Sequence, residues 1–332
     1  MSSQKDENSI SNYPRQHHYI PKFYLEGFTI SGSQDNYLWV LDIQSGKQWK
    51  ARPGNVAHQR DFYRVELPGV KPDVFENALS KIESQASVII KNIVNSKALP
   101  DKENEDFISL INLVALMTAR VPRIRSVFSG FVEDINKFML KMTLATPEHW
   151  ESTKESMKKS GYELGEKISY EQMKRFIESD KYQIEVNKLW HLKNIVDIMD
   201  ILIPLLMARN WSLLIAEPED KFFICSDSPV SLMWTKPPPP FWGPGFGMPD
   251  TELLMPLNKK QALVARFEVK PKTYLSPLEV IAKANNITRI FTQRFIYSPE
   301  EDFVWLKKDG KIGSKRDLIQ EISTKESIKK TE

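Results

Sequence analysis

Two adjacent histidines, His17 and His18, precede a proline and a dense aromatic block in the stretch Gln16-His17-His18-Tyr19-Ile20-Pro21-Lys22-Phe23-Tyr24-Leu25-Glu26-Gly27-Phe28. Imidazole moves protons near neutral pH and ligates metals, so this pair is the first candidate for chemistry. In an extended chain successive side chains point to opposite sides, and at most one histidine faces a given pocket directly. That weakens the case for both ligating one metal. The competing reading is a pair of hydrogen-bonded histidines tying the N-terminus to the core.

Carboxylates and arginines supply the other candidates. Asp227, in Ser226-Asp227-Ser228-Pro229, follows the apolar run Phe222-Phe223-Ile224-Cys225, and a carboxylate just past a buried strand is a common place for a general base or metal ligand. The same four residues also make an ordinary turn, with Asp227 accepting backbone N–H groups. Glu76 and Glu83 are seven residues apart and fall on nearly one face of a helix, about 10 Å from each other. Arg120, beside Val121-Pro122, is the natural partner for Glu83, and Arg60 beside Asp61 is a second candidate. His191, Asn194, Asp197 and Asp200 recur every third residue, as either a cation-holding stripe or a solvated helix face. No P-loop, no G-x-G-x-x-G after a strand, no H-E-x-x-H, no C-x-x-C and no G-x-S-x-G occurs, so the chemistries those motifs carry are unsupported.

The elements that must position these residues follow from patterning. Pro21 suits the first position of a short helix to Glu26, with His17, His18 and Tyr19 on an extended lead-in and Gly27 as the stop. Tyr37 to Ile43 reads as a strand, Lys47 to Arg52 as its hairpin partner, and Asp61 to Val65 as a third strand. From Asp73, apolar residues at three- and four-residue steps mark an amphipathic helix. A second begins at Pro100-Asp101, a third follows Pro122, and a long one spans about 187–208. Strands are expected at Trp211–Ala216, Lys221–Cys225, Glu252–Met255, Ala262–Phe267 and Arg294–Tyr297, with a last helix from Pro277. The Pro/Gly-rich stretch 236–249, containing Pro237-Pro238-Pro239-Pro240 and Trp242, is an irregular loop.

This order predicts an α+β fold in which N- and C-terminal strands share one mostly antiparallel sheet and a helical middle packs against it. The expected organisation is a disordered tail over 1–14 and a single domain over 15–298 with a lysine-rich helical insertion at about 146–186. A charged C-terminal tail follows over 299–332. The 332 residues carry a net charge of +3, with 41% hydrophobic and 27% charged residues, the balance of an ordinary globular protein. So slight a charge does not by itself argue for a nucleic-acid partner. The lone Cys225 excludes an internal disulfide and reads as a packing residue. With a polar start lacking an apolar signal segment and no apolar run long enough to span a bilayer, the expected location is the cytoplasm.

The opening stretch closely resembles that of an uncharacterised, mostly bacterial family, the domain-of-unknown-function family 4238. Further similar motifs are Asn55-Val56-Ala57 through Asp61-Phe62-Tyr63, Leu79 to Glu83, Arg120-Val121-Pro122, Trp211 to Leu214, and Phe223 to Val230, covering about residues 15–298. The resemblance implies a shared fold and a shared site, with no established activity. Two functions are open. One is a hydrolase of phosphodiester bonds in nucleic acid or nucleotides, with a divalent metal as candidate cofactor. His17, His18, Asp227 and Glu83 would be catalytic there, and Tyr19, Arg60, Arg120 and Ser226 would contact substrate. The other is a non-catalytic module that binds a small molecule or a partner through its aromatic and arginine residues. A setting in bacterial defence suits either.

Overall fold

Pro21 divides the first two elements of the computed structural model, which describes residues 13–162 and 168–329. Ahead of it the chain is extended as strand β1 (Gln16–His18), and behind it runs helix α1 (Lys22–Glu26). Tyr24 and Phe28 are fully buried, and the Tyr24 hydroxyl donates to the carbonyl of Pro256. Gly27 ends α1 with an ordinary right-handed φ of −61°. What requires glycine there is space, because a Cβ would stand 2.8 Å from the Cβ of Asn258.

Strands β2 (Leu38–Asp42) and β3 (Gln48–Ala51) form the expected hairpin. The next strand, β4 (His58–Arg60), lies just before the expected position and pairs antiparallel with β1, His18 opposite His58. Asp61 stops it by taking the left-handed conformation at φ 56°, so Phe62 to Val65 pack as a turn and loop rather than a strand.

Helices α2 (Val74–Ser96) and α3 (Glu105–Ala119) follow. α2 buries Leu79, Ala86, Ile89, Ile90 and Ile93 on one face, the periodicity of an amphipathic helix. α3 starts where the Asn104 side chain accepts the N–H of Asp106 at 2.9 Å and is buried from Leu113 through Ala119. Helices α4 (Pro122–Thr143), α5 (Pro147–Lys159), α6 (Tyr170–Glu178) and α7 (Lys188–Met207) complete the helical middle.

The remaining strands are β5 (Asn210–Ala216), β6 (Cys225–Ser226), β7 (Ser231–Trp234), β8 (Thr251–Asn258), β9 (Gln261–Arg266) and β10 (Thr273–Ser276). After them come helix α8 (Leu278–Phe291), strands β11 (Phe295–Ser298), β12 (Trp305–Leu306) and β13 (Ile312–Gly313), and helix α9 (Lys315–Lys329).

The fold is α+β, and N- and C-terminal strands pair as anticipated: β2 lies antiparallel to β11, from Trp39 opposite Ser298 to Asp42 opposite Phe295. Among the described residues the strands divide into several sheets. One has the order β3-β2-β11-β6 and another β10-β5-β9-β8-β7, in which only the β10–β5 pair is parallel.

The chain divides into two compact units, one of residues 1–123 with 192–332 and one of residues 124–191. The smaller contains the polar segment expected as an insertion and extends beyond it at both ends. Its own core joins Leu144, Trp150 and Ile177. In the larger unit, Phe223, Leu254, Ile281 and Ile287 form one core cluster. Leu41, Ile224 and Ile296 form another with Phe303, Trp305 and Leu318. The segment expected as a charged tail after 298 therefore contributes three buried side chains, whereas the expected N-terminal tail falls almost wholly outside the described residues. No single described helix is long and apolar enough to cross a membrane.

Candidate functional site

The pairing of β1 with β4 sends the two histidines to opposite sides, and the two environments differ. His17 is buried and uses both ring nitrogens: Nδ1 accepts the backbone N–H of Tyr63 at 2.7 Å and Nε2 donates to the Pro14 carbonyl at 3.1 Å. Its ring stacks on Tyr63, 5.7 Å between centroids. Burial holds its pKa below the ordinary histidine value, as this neutral tautomer requires. The ring is a hydrogen-bonded staple between the N-terminal strand and the turn at Tyr63.

His18 faces a charged neighbourhood. Its Nε2 donates to the carbonyl of Gly54 at 3.3 Å, which leaves Nδ1 as an acceptor. His58 lies edge-on at 5.2 Å, as cross-strand register dictates. Burial, then the charges of Lys22 and His58, push the His18 pKa down to about 4, with Arg120 acting in the same direction.

Glu76 and Glu83, one above the other on α2, reach the same neighbourhood. Glu83 Oε1 accepts from Arg120 Nη1 at 2.6 Å, the pairing expected from sequence. Arg120 sits at the end of α3, is fully buried, and its Nε has no hydrogen-bond partner. Oε2 of Glu76 is likewise buried and unpartnered. Burial and the Glu83 charge raise the Glu76 pKa to about 7, against the opposing pull of Arg120 and Lys22. Lys22 and Arg120 thus act on both His18 and Glu76. The first turn of α1, the start of α2, the end of α3 and the β1–β4 pair converge on one cluster of acid–base groups and cations.

Asp227 serves a different purpose. Its carboxylate accepts the backbone N–H groups of Gln293, Arg294 and Phe295 at 2.9, 2.7 and 2.9 Å, fixing the junction between α8 and β11. Burial pushes its pKa up while these donors pull it down, and burial prevails. Ser226 accepts the Ser228 N–H at 3.1 Å and donates to the Ser228 carbonyl at 3.0 Å, completing a tight turn. Tyr19, buried beside Asp227 and Tyr297, has its pKa raised to about 12 by burial first and the Asp227 charge second. Arg60 projects from the surface with its side chain 70% exposed, 3.7 Å from Asp61. The carboxylate of Asp61 is also taken by Arg15.

Of the residues singled out from sequence, His18, Glu83 and Arg120 therefore lie together. His17 and Asp227 spend their polar atoms on backbone, Ser226 and Tyr19 accompany Asp227, and Arg60 stands apart. Lys22 and His58, not singled out from sequence, and Glu76, noted there only for sharing a helix face with Glu83, complete the cluster. Each left a trace in the sequence: Lys22 directly follows Pro21, Glu76 shares a helix face with Glu83, and His58 is opposite His18 once β1 and β4 pair. On α7, Asp197 is bonded to Lys193 at 2.5 Å and Asp200 is exposed, the arrangement of a solvated helix face. Among the described residues, no group of three or more His, Cys, Asp or Glu side chains is placed to hold a metal ion. Cys225 is buried and burial pushes its thiol pKa well up, which keeps it protonated and inert.

A family model described as "Protein of unknown function (DUF4238)" matches residues 16–302, a span that includes every residue of the cluster. Neither the curated proteins nor the solved structures give a match to this chain.

Proposed function

Since the chain belongs to the DUF4238 family of proteins of unknown function, which supplies no reaction, we propose one from the geometry. The cluster around Glu76 is the active site of a hydrolase acting on phosphodiester bonds of nucleic acid or nucleotides. The observation that carries this reading is the Glu76 carboxyl: half-buried, one oxygen unpartnered, and its pKa raised to about 7 by burial and the Glu83 charge against the pull of Arg120 and Lys22. A group titrating near working pH both takes and returns a proton at least cost.

In this reading Glu76 takes a proton from an attacking water as the oxygen–phosphorus bond forms. It returns that proton to the leaving oxygen as the second phosphorus–oxygen bond breaks. Lys22 and Arg120 hold the phosphate oxygens, where charge grows in the transition state. His18, neutral and with Nδ1 available, orients the water. Glu83 positions Arg120 through their 2.6 Å contact.

The test is turnover on a panel of RNA, single-stranded DNA, dinucleotides and nucleotides, with and without Mg²⁺ or Mn²⁺. Hydrolysis of at least one of these is expected, falling about a hundredfold or more in Glu76→Gln with the fold retained. A folded protein that turns over nothing on the panel sinks the reading. A second reading, non-catalytic binding, is favoured by the exposed rings of Phe241 and Trp242 on the proline-rich loop. Its mark is ligand-dependent melting without turnover.

A further inference from the structure

One face of the five-stranded sheet changes chemistry in an ordered way. Asn210 of β5 lies opposite Arg266 of β9, and the Arg266 guanidinium is bonded to the Glu252 carboxylate of β8. One step along the strands, Ser212 lies opposite Val264, and Val264 opposite Leu254. A polar row therefore crosses one end of the face, and Leu214, Val264 and Leu254 form an apolar floor beside it. Helix α8 runs over this floor with Val280, Lys283, Ala284 and Ile287, flanking a partly open cavity of about 390 Å³. That is the size and composition of a small-molecule site. None of its residues belongs to the Glu76 cluster.

Most polar groups here are already satisfied by the fold. Arg266 and Glu252 neutralise each other. The Asn210 amide donates to the Phe267 carbonyl at 2.8 Å and accepts from Lys102 at 3.3 Å, and Ser212 accepts the backbone N–H of Lys272 at 3.2 Å. Besides the Tyr274 hydroxyl, two groups are left over. Ser276, at the end of β10, is 1% exposed and is one of the residues lining the cavity, and its buried hydroxyl has no hydrogen-bond partner. A buried hydroxyl without a partner is costly, and such groups are normally satisfied. Lys283 stands at the rim, exposed and in no salt bridge among the described residues. The surplus is one hydrogen-bond donor and one positive charge beside an apolar floor.

We propose that this cavity binds a small amphipathic carboxylate, its hydrocarbon body on Leu214, Leu254, Val264 and Ile287 and its head group accepting from Lys283 and Ser276. The charge selects an acid over the alcohol of equal length. The hydroxyl selects an acceptor over bare hydrocarbon. The 390 Å³ volume limits the chain to medium length.

The experiment is calorimetric titration of the full chain with octanoate and, separately, octan-1-ol. Octanoate is expected to bind saturably at one site per chain, with octan-1-ol at least about tenfold weaker. Lys283→Glu, a surface change that leaves the fold intact, is expected to weaken octanoate about tenfold or more and to leave octan-1-ol unchanged. Val264→Phe, which fills the floor, abolishes both; the melting curve of that variant reports its folding. No saturable octanoate binding through the millimolar range overturns the proposal. So does equal affinity for the alcohol, or octanoate binding indifferent to Lys283→Glu. Turnover at the Glu76 cluster is measured on the same variants and is expected to be unchanged, so the two proposals stand or fall separately.

Discussion

Two residues of the cluster titrate in opposite senses, and that makes their roles separable by pH. His18 has a folded pKa of about 4, below its ordinary 6.5, so the unfolded chain binds the proton more readily. Its contribution to stability is present above about pH 6.5 and is lost as pH falls toward 4. Glu76 is the reverse case: raised from 4.5 to about 7, it binds the proton more tightly when folded. Its carboxylate therefore begins to destabilise the fold as pH rises through 4.5, an effect complete above 7. Glu76→Gln is expected to be more stable than the parent at pH 8, by about 1–2 kcal/mol after allowing for solvent screening of a half-buried group, and equal to it at pH 4. His18→Gln should instead flatten the acid limb between pH 6.5 and 4. Denaturant midpoints across pH 4 to 8 measure both, and a Glu76→Gln variant less stable at pH 8 contradicts the buried, unpartnered carboxyl. His17 is the structural counterpart. His17→Phe keeps the stacking on Tyr63 but strands two backbone groups, at an expected cost of about 2 kcal/mol.

At the scale of elements, the junction between α8 and β11 depends on one side chain. Asp227 receives three backbone N–H groups from consecutive residues, and hydrogen bonds to a charged acceptor contribute more than neutral ones. Asp227→Ala should cost about 3 kcal/mol or more, with lost hydrogen-exchange protection at residues 293–295. An unchanged melting temperature would refute the structural role. Elements built on local patterns were legible in the sequence. The Pro21 boundary, the face of α2 and the β2–β3 hairpin all follow from spacing or turn chemistry. The Glu83–Arg120 pair was legible too, because both side chains stand where an apolar helix leaves few other partners. What escaped depends on contacts distant in the chain. β4 exists because β1 offers it an edge, β7 and β10 because β8 and β5 do, and the acidity of Glu76 arises from burial by residues on other elements. No window of sequence contains those neighbours, and for that reason Asp227, a plausible base by position, turned out to be occupied by residues some seventy positions downstream.

The whole larger unit is closed by its two ends. Leu41 from the N-terminal hairpin, Ile224 just before β6, Ile296 of β11, and Phe303, Trp305 and Leu318 from the C-terminal segment form one buried cluster. Asn285 links the same region from beneath: its amide donates to the carbonyls of Phe222 and Val304 and accepts the N–H of Ile224. The family match ends at residue 302, so a domain cut by similarity alone would leave out Trp305 and Leu318. Each large apolar side chain removed from such a cluster forfeits about 1.5–3 kcal/mol of burial. Losing three costs about 5–9 kcal/mol, as much as the entire net stability of many domains. Truncation after Ser298 is therefore expected to give an insoluble or molten chain, although the Glu76 cluster lies wholly upstream of the cut. Leu318→Ala is the graded version, with an expected loss of about 2–4 kcal/mol and a lowered melting temperature. If the chain ending at Ser298 melts cooperatively and as high as the full chain, then 299–329 is an appendage and the core closes without it.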